Sequence, residues 1–217
     1  MSDTPTIRPV GEGALLIEFG DRIDETINAK VVALDKALAA RPPRGFLEAV
    51  PAYCSLLIEY DPQSTSQVEL AEAALELAGS APAAATSGRE HVVPISFEPL
   101  DGPDLDQVAA QAGLDWEEAI AAFLASRYRV YMYGFAPGYA YMGGVPQVLQ
   151  LPRKPIAQRG HPAGSVIIAG PQCLITTLPM PTGWWVIGRT PLAVLDATGE
   201  RPFRFDPGDT IRFERIA

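Results

Sequence analysis

Residues 128–144, YRVYMYGFAPGYAYMGG, constrain this chain more than any other stretch. Six tyrosines or phenylalanines surround a GFAPG turn, and the segment closes on Gly143-Gly144. Side chains alternate between faces along a strand. Tyr131, Tyr133 and Phe135 are therefore expected on one face, with Tyr128, Val130, Met132 and Gly134 on the other. Both faces are largely apolar, as in a strand covered on two sides. Pro137-Gly138 then turns the chain, and Tyr139 and Tyr141 follow at period two. Such a wall suits either a groove for a ligand or partner or a barrel core with a tight turn.

The pattern around this segment favours a barrel. From Arg127 onward the chain reads as short strands punctuated by Gly and Pro: RVYMYGF, GSVIIAG, CLITTL, GWWVIGRT, LAVLD and DTIRFERI. Many short strands with this punctuation predict a closed or nearly closed β-barrel. HVVPISF, from His91, is a further strand that could belong to either half of the chain. Two short helices follow it. One starts near Asp104 and ends at Gly113. The other is capped by Asp115, with Glu118 completing a capping box, and buries Trp116, Ile120, Phe123 and Leu124.

The N-terminal third reads differently. IRPVGEGALLIEF, residues 7–19, alternates as a first strand. Asp24 caps a helix with an apolar stripe of Ile27, Val31, Leu34 and Leu38. FLEAVPAY and CSLLIEY are two strand candidates, and Ser66 with Glu69 opens a second helix. This β-α-β-β-α order lacks only a last strand of a ferredoxin-like split βαβ unit. Residues 79–90, GSAPAAATSGRE, are small, polar and unpatterned, as in a linker. The expected organisation is α+β: an N-terminal α+β domain over 1–80, a linker over 81–90, and a barrel domain over 91–217 with two short helices near its start.

Charge narrows the partners. The net charge of −9 argues against nucleic acid. Residues 1–126 carry 7 Lys+Arg against 21 Asp+Glu, while residues 127–217 carry 10 against 5. The basic part includes Arg153, Lys154 and Arg159 in one Pro-rich segment, which suits a small anion or an acidic partner. No apolar run reaches the length needed to cross a bilayer, and MSDTPTIRPV lacks the features of a secretory signal. Cys54 and Cys173 sit in apolar segments and read as buried thiols. The cytoplasm is the simplest assignment.

Several standard sites are absent from the sequence. There is no P-loop, no G-x-S-x-G elbow, and no G-x-G-x-x-G around residues 134–144. His91 and His161 lack metal-ligand spacing with a Cys or carboxylate, so no metal is expected. Four segments can converge on one pocket. The aromatic strand and turn supply Tyr131, Tyr133, Phe135, Pro137, Gly138, Tyr139 and Tyr141. PRKPIAQRGHPAGS supplies Arg153, Arg159, His161 and Ser165. AGPQC supplies Gln172. GWWVIGRTP supplies Trp184 and Arg189, whose guanidinium can pair with a carboxylate. Adjacent Trp184 and Trp185 are expected to face opposite ways, one into the core and one toward a surface or groove.

These segments resemble the KipI / PxpB family of 5-oxoprolinase subunits, also called allophanate hydrolase subunit 1. The resemblance is carried by VPAYCSLLIEYDP at 50–62, GPDL at 102–105, residues 128–144, LPRKP at 151–155, PAGSVIIAG at 162–170, GWWVIGRTPL at 183–192 and DPGDTIRF at 206–213. It implies a cyclophilin-like barrel and a subunit of an ATP-dependent 5-oxoprolinase that opens 5-oxoproline to L-glutamate. The implied partners are an allophanate hydrolase subunit 2-like protein, which is the C-type subunit of 5-oxoprolinase, and a LamB/YcsF-type protein, with ATP as co-substrate. Other members imply an allophanate or urea-derivative amidohydrolase subunit, or a non-catalytic inhibitor of a sensor histidine kinase. In the ATP-dependent reading, Arg189, Arg159 and His161 are the expected catalytic groups, and the chain alone is expected to be weak or inactive. The sequence departs from the common pattern at GYAYMGG and at Gln172–Thr177.

Overall fold

The structure is a computed structural model that describes residues 5–80 and 88–216. They form two compact units on either side of residues 81–87. The linker expected at 81–90 lies largely outside the described residues. None of the described helices is long and apolar enough to cross a membrane.

The first unit contains β1 (Thr6–Val10), β2 (Ala14–Glu18), α1 (Glu25–Ala40), β3 (Phe46–Pro51), β4 (Ser55–Tyr60) and α2 (Gln67–Ser80). Its antiparallel sheet has the order β1-β2-β4-β3. The expected single strand over 7–19 is instead a hairpin. Gly11, at φ 64, takes a left-handed turn that folds β1 back onto β2. This hairpin supplies the fourth strand from the N-terminus rather than the C-terminal end. The caps form as the local sequence requires. Asp24 Oδ1 accepts from the backbone N–H of Thr26 and Ile27 at 2.9 and 3.1 Å. Ser66 N–H donates to Glu69 at 2.9 Å, and Glu69 N–H donates to Ser66 Oγ at 3.3 Å. The stripe Ile27, Val31, Leu34 and Leu38 of α1 is buried, and Val31, Leu34 and Leu38 share a core with Leu15, Ile17, Leu56 and Ile58 of the sheet.

The second unit contains β5 (Glu90–Ile95), α3 (Leu105–Ala112), α4 (Trp116–Leu124), β6 (Tyr128–Tyr133) and β7 (Ala140–Gly143). A 3-10 turn at Gln147–Leu149 precedes β8 (Ser165–Ala169), β9 (Gln172–Ile175), β10 (Trp185–Arg189) and β11 (Thr210–Arg215). The seven-stranded sheet runs β10-β8-β9-β7-β6-β11-β5. HVVPISF thus belongs to this sheet, where β5 pairs parallel to β11. The expected strand LAVLD is reduced to an isolated bridge between Leu195 and Phe203. Asp115 and Glu118 form the capping box at α4.

The sheet is nearly closed by a backbone pair between its two edges. Ser96 N–H donates to Arg189 O at 2.8 Å, and Arg189 N–H donates to Ser96 O at 2.9 Å. Close approach there requires glycine: a Cβ on Gly188 would sit 2.8 Å from both Ile95 Cδ1 and Ser96 O. One face of the strands fills the barrel with Val93, Ile95, Val130, Met142, Val166, Ile168, Cys173, Ile175, Trp185 and Ile187. The opposite face of β7, β8, β9 and β10 carries a second small core of Tyr139, Ile167, Ala169, Leu174, Trp184 and Val186. These strands are therefore covered on both sides, and the Trp pair divides as expected.

Asp209 secures the other end of β5. Its carboxylate accepts from Arg89 N–H at 2.8 Å and Asp206 N–H at 2.9 Å, and lies 2.7 Å from His91 Nε2. Burial alone would raise this carboxyl, but the Asp206 and Arg89 amides and the His91 ring outweigh it and hold it below its ordinary range.

Two outcomes follow for stability. Gly188→Ala is expected to destabilise the chain by about 2 kcal/mol in urea unfolding, because the new methyl group overpacks the closure. Asp209→Ala is expected to cost about 3 kcal/mol at pH 7, from lost charge-assisted hydrogen bonds. The native Asp209 carboxyl is held below its unfolded value near 4, so its stabilisation is present above about pH 4 and fades as pH falls further. The variant's deficit should shrink correspondingly in acid.

Candidate functional site

The candidate site lies on the outer face of the barrel wall. Strand alternation sends Ile167, Leu174 and Trp184 away from the barrel core, where they meet Tyr139 and Tyr141 from β7 and the turn before it. Together with Phe135, Arg153, Thr176 and the 180–183 segment they enclose a cavity of about 180 Å3. This is smaller than the ~300–1,000 Å3 of sites for drug-sized ligands.

The wall is aromatic and the mouth is cationic. Tyr141 and Trp184 meet edge to face at 6.0 Å between ring centroids. The Arg153 guanidinium lies 5.5 Å from the centroid of Trp184. Arg153 is exposed and has no ion-pair partner among the described residues. Its positive charge is therefore available to an anion, with the indole face as a platform. The Tyr139 hydroxyl donates to Met180 Sδ at 2.9 Å. Burial raises the hydroxyl pKa of both Tyr139 and Tyr141, so both remain protonated near neutral pH.

The neighbouring Lys154 has a different task, although the sequence grouped it with the other cations. It points into the protein, where Nζ donates to Asp104 Oδ2 at 2.6 Å and to Gln158 Oε1 at 2.9 Å. Both members of the ion pair are more than nine-tenths buried. The same Asp104 oxygen accepts from Val186 N–H at 2.7 Å, while Asp104 N–H donates to Val186 O at 3.0 Å. Lys154 N–H also donates to Gly183 O at 2.7 Å, and Gln158 pairs through its backbone with Thr182. The basic segment is thereby tied to β10 and the cavity rim, with Lys154 turned inward and Arg153 exposed. Asp104 and Lys154 were not among the expected site residues. They lie 50 positions apart, and their pairing has no local sequence signal.

Phe135, Tyr139, Tyr141, Arg153 and Trp184 thus come together around one cavity. Tyr131 and Tyr133 do not join Phe135 on one aromatic face. A β-bulge between Val130 and Met132 shifts the register and ends the expected alternation. Tyr131 is buried, and Tyr133 packs against the barrel core and Phe203, with its hydroxyl donating to Phe205 O. Pro137 is exposed and its carbonyl accepts from Thr177 Oγ1 at 2.7 Å, while Gly138, at φ 75, packs near Thr177 and Leu195. Ser165 is buried and donates to Pro162 O at 2.8 Å, so it does not form a pair with His161. Gln172 sits at the turn between β8 and β9, opposite Gly143 and Ala169.

The three expected catalytic groups are arranged separately. Arg159 is exposed and makes no ion pair or hydrogen bond among the described residues. Arg189 lies 3.7 Å from Asp101 and borders two further cavities on the barrel's edge. His161 is half-buried, and its Nε2 has no hydrogen-bond partner among the described residues. Burial pushes the His161 imidazole below its ordinary value, assisted by Lys154 and opposed by Asp104. A neutral ring at neutral pH keeps one nitrogen lone pair, and Nε2 itself is closed to solvent. Burial also raises both thiols: Cys173 lies wholly inside the core, and at Cys54 the charges of Glu18 and Asp21 add to the effect. No metal-binding group of three or more His, Cys, Asp or Glu occurs among the described residues.

Comparison with known proteins identifies the chain's family. Residues 5–205 match the family described as Carboxyltransferase domain, subdomain C and D. The chain is 36% identical to the B-type subunit of 5-oxoprolinase from Bacillus subtilis (strain 168), covering 97% of this chain and 92% of that protein. The crystal structure of TTHA0988 matches with a TM-score of 0.82 and 37% identity, over 98% of this chain. The chain spans 40% of that protein's length. The K. lactis urea amidolyase matches with a TM-score of 0.79 at 18% identity, over 98% of this chain and 15% of that one, a likeness of fold alone. The match along the curated relative and the family region together place this chain in the family of 5-oxoprolinase B-type subunits.

Proposed function

We propose that this chain is a subunit of an ATP-dependent 5-oxoprolinase and that the cavity beside Arg153 receives 5-oxoproline. The observation that carries the reading is the unpaired Arg153 guanidinium over Trp184, at the mouth of a small aromatic cavity, in a chain of this family. A five-membered lactam has a nearly flat ring whose edge is part methylene and part amide, and it carries one carboxylate. The ring suits the indole and phenol faces, and the carboxylate suits the arginine.

The chemistry requires activation of a poor electrophile. The lactam carbonyl oxygen takes the γ-phosphoryl group of ATP, and ADP leaves. Water adds to the carbonyl carbon, and the ring C–N bond breaks with protonation of nitrogen. A second water then releases phosphate, giving L-glutamate. Fixed cations stabilise the developing charge. Arg153 is the cation at this cavity; Arg189, Arg159 and neutral His161 do not line it and are the candidates for a surface shared with a partner, the first two as cations and His161 as proton acceptor. Tyr139, Tyr141 and Thr176 shape the cavity. The space enclosed is too small for a nucleotide, so ATP is held elsewhere, in a partner or at a shared surface.

The partners in this reading are an allophanate hydrolase subunit 2-like protein, the C-type subunit of 5-oxoprolinase, and a LamB/YcsF-type protein, acting in the cytoplasm. The finer architecture follows the same proposal. The described part of residues 1–80 forms a ferredoxin-like unit with β1 in the place of the last strand, and the described part of residues 91–217 forms a cyclophilin-like barrel. Their strand orders support both assignments.

The test is glutamate formation from 5-oxoproline and ATP by this chain and its partner subunits, singly and together. Product is expected only from the complete mixture. Arg153→Ala is expected to lower kcat/KM by about 30-fold, the equivalent of about 2 kcal/mol, chiefly through KM. Full activity in that variant, or no glutamate from an intact assembled complex, would refute the assignment.

A second outcome concerns pH. The native His161 pKa lies below its unfolded value near 6.5, so the stabilising effect of its neutral form is present above that pH and lost as pH falls through the folded value. If His161 accepts the proton, the acidic limb of kcat/KM should lie below about pH 6.5 and disappear in His161→Gln, with reduced activity remaining. An unchanged acidic limb in the variant would exclude that role.

A further inference from the structure

Phe135 is held in a conformation that its type disfavours, and its ring is left in water. It is the one non-glycine residue with positive φ, at 66°, among the described residues. Ala136 N–H donates to Gly134 O at 2.8 Å, closing a three-residue γ-turn with Phe135 at its centre. This hand of γ-turn is rare and strained, and a bulky side chain worsens it. Phe135 is 78% exposed, yet its ring borders the aromatic cavity, 5.9 Å from the Tyr139 ring between centroids. A hydrophobic ring this exposed gains little from folding, and a glycine would satisfy the turn without strain. The loop is otherwise firmly fixed. Gly134 N–H donates to Tyr139 O, Tyr139 N–H donates to Ala136 O, and Thr177 Oγ1 donates to Pro137 O. Strain maintained by a rigid surround at a cavity mouth is characteristic of ligand clamps.

We propose that Phe135 is a specificity-determining cap of the cavity, and that it selects a carboxylate carried on a small, nearly flat ring over anions without one. The carboxylate meets Arg153 at the mouth. The ring enters against Trp184 and Tyr141, and its remaining exposed face is covered by Phe135. Occupancy adds to the Phe135 ring an apolar contact beyond the one that it makes with Tyr139. An acyclic dianion or a bare phosphate would satisfy Arg153 but leave the cap unfilled. This inference rests on the cavity being the substrate site, and it adds the element that distinguishes ring-bearing anions from others.

The test titrates 5-oxoproline, cyclopentanecarboxylate and inorganic phosphate separately into the full chain, following tryptophan fluorescence through Trp184. The two ring carboxylates are expected to bind with saturation, and phosphate at least about tenfold more weakly. Phe135→Gly is expected to weaken both ring carboxylates by about tenfold while leaving phosphate unchanged. Its thermal midpoint should equal or exceed that of the parent, because glycine relieves the turn. A residue with a merely structural role would not separate stability from affinity in this way. Undiminished ring binding in Phe135→Gly, or no saturable binding by the parent chain, would overturn the cap. The assay of the assembled subunits separates this failure from failure of the proposed reaction. No glutamate from the assembly, with Phe135-dependent ring binding intact, removes the reaction and retains the cap. Glutamate formation with an unchanged KM in Phe135→Gly does the reverse.

Discussion

The backbone pair between Ser96 and Arg189 is the constraint on which the second unit depends. Without it β5 and β10 would be open edges, and the seven strands would form a sheet with two unpaired rims. With it, the inward faces share one core from Val93 to Phe213. The closure also explains two glycines. Gly188 admits Ile95 and Ser96, and Gly102 lets the following loop approach to where a Cβ would lie 2.4 Å from Ile187 O. That approach delivers Asp104 to Val186 and Lys154. Closing the sheet therefore fixes the loop that anchors the basic segment.

The buried Asp104–Lys154 pair then acts as an orienting device. Two charges removed from water contribute little net stability, but removal of one partner is expensive. Here the pair fixes direction. A lysine held inward by a carboxylate, a glutamine and a backbone contact leaves its neighbour Arg153 no place but the outer face. The trade gives the cavity one accessible cation rather than two competing ones. Its local charge contrasts with the acidic balance of the chain as a whole. Such a contrast concentrates small anions at the basic site and repels them from the remaining surface.

Local chemistry was the legible part of the sequence. The caps at Asp24, Ser66 and Asp115 depend on residues two or three apart, and each forms as its spacing requires. The division of Trp184 and Trp185 follows from strand alternation alone. The errors arise where backbone geometry interrupts a period. Gly11 converts one apparent strand into a hairpin, and the bulge near Tyr131 turns Tyr133 toward the barrel. The hairpin is marked by Gly11-Glu12-Gly13 inside the run, whereas the bulge leaves no mark in the hydrophobic pattern. Long-range polar pairs were illegible for another reason. Asp104 with Lys154, and His91 with Asp209, are joined only by the folded sheet.

The division of labour across the barrel wall accounts for how one short segment serves both stability and recognition. In β8 every residue is buried, yet Val166 and Ile168 fill the barrel while Ile167 and Ala169 serve the outer cluster. A wall packed on its inner face is stiff, because close-packed side chains transmit displacement rather than absorb it. The outer residues inherit that rigidity without contributing to closure. A cavity built on them can therefore be polar at its mouth and incompletely filled, at little cost to the fold. The tension between packing and binding is resolved by placing them on opposite faces of the same strands, and the bulge in β6 and the turn at Phe135 mark where the chain passes from one task to the other.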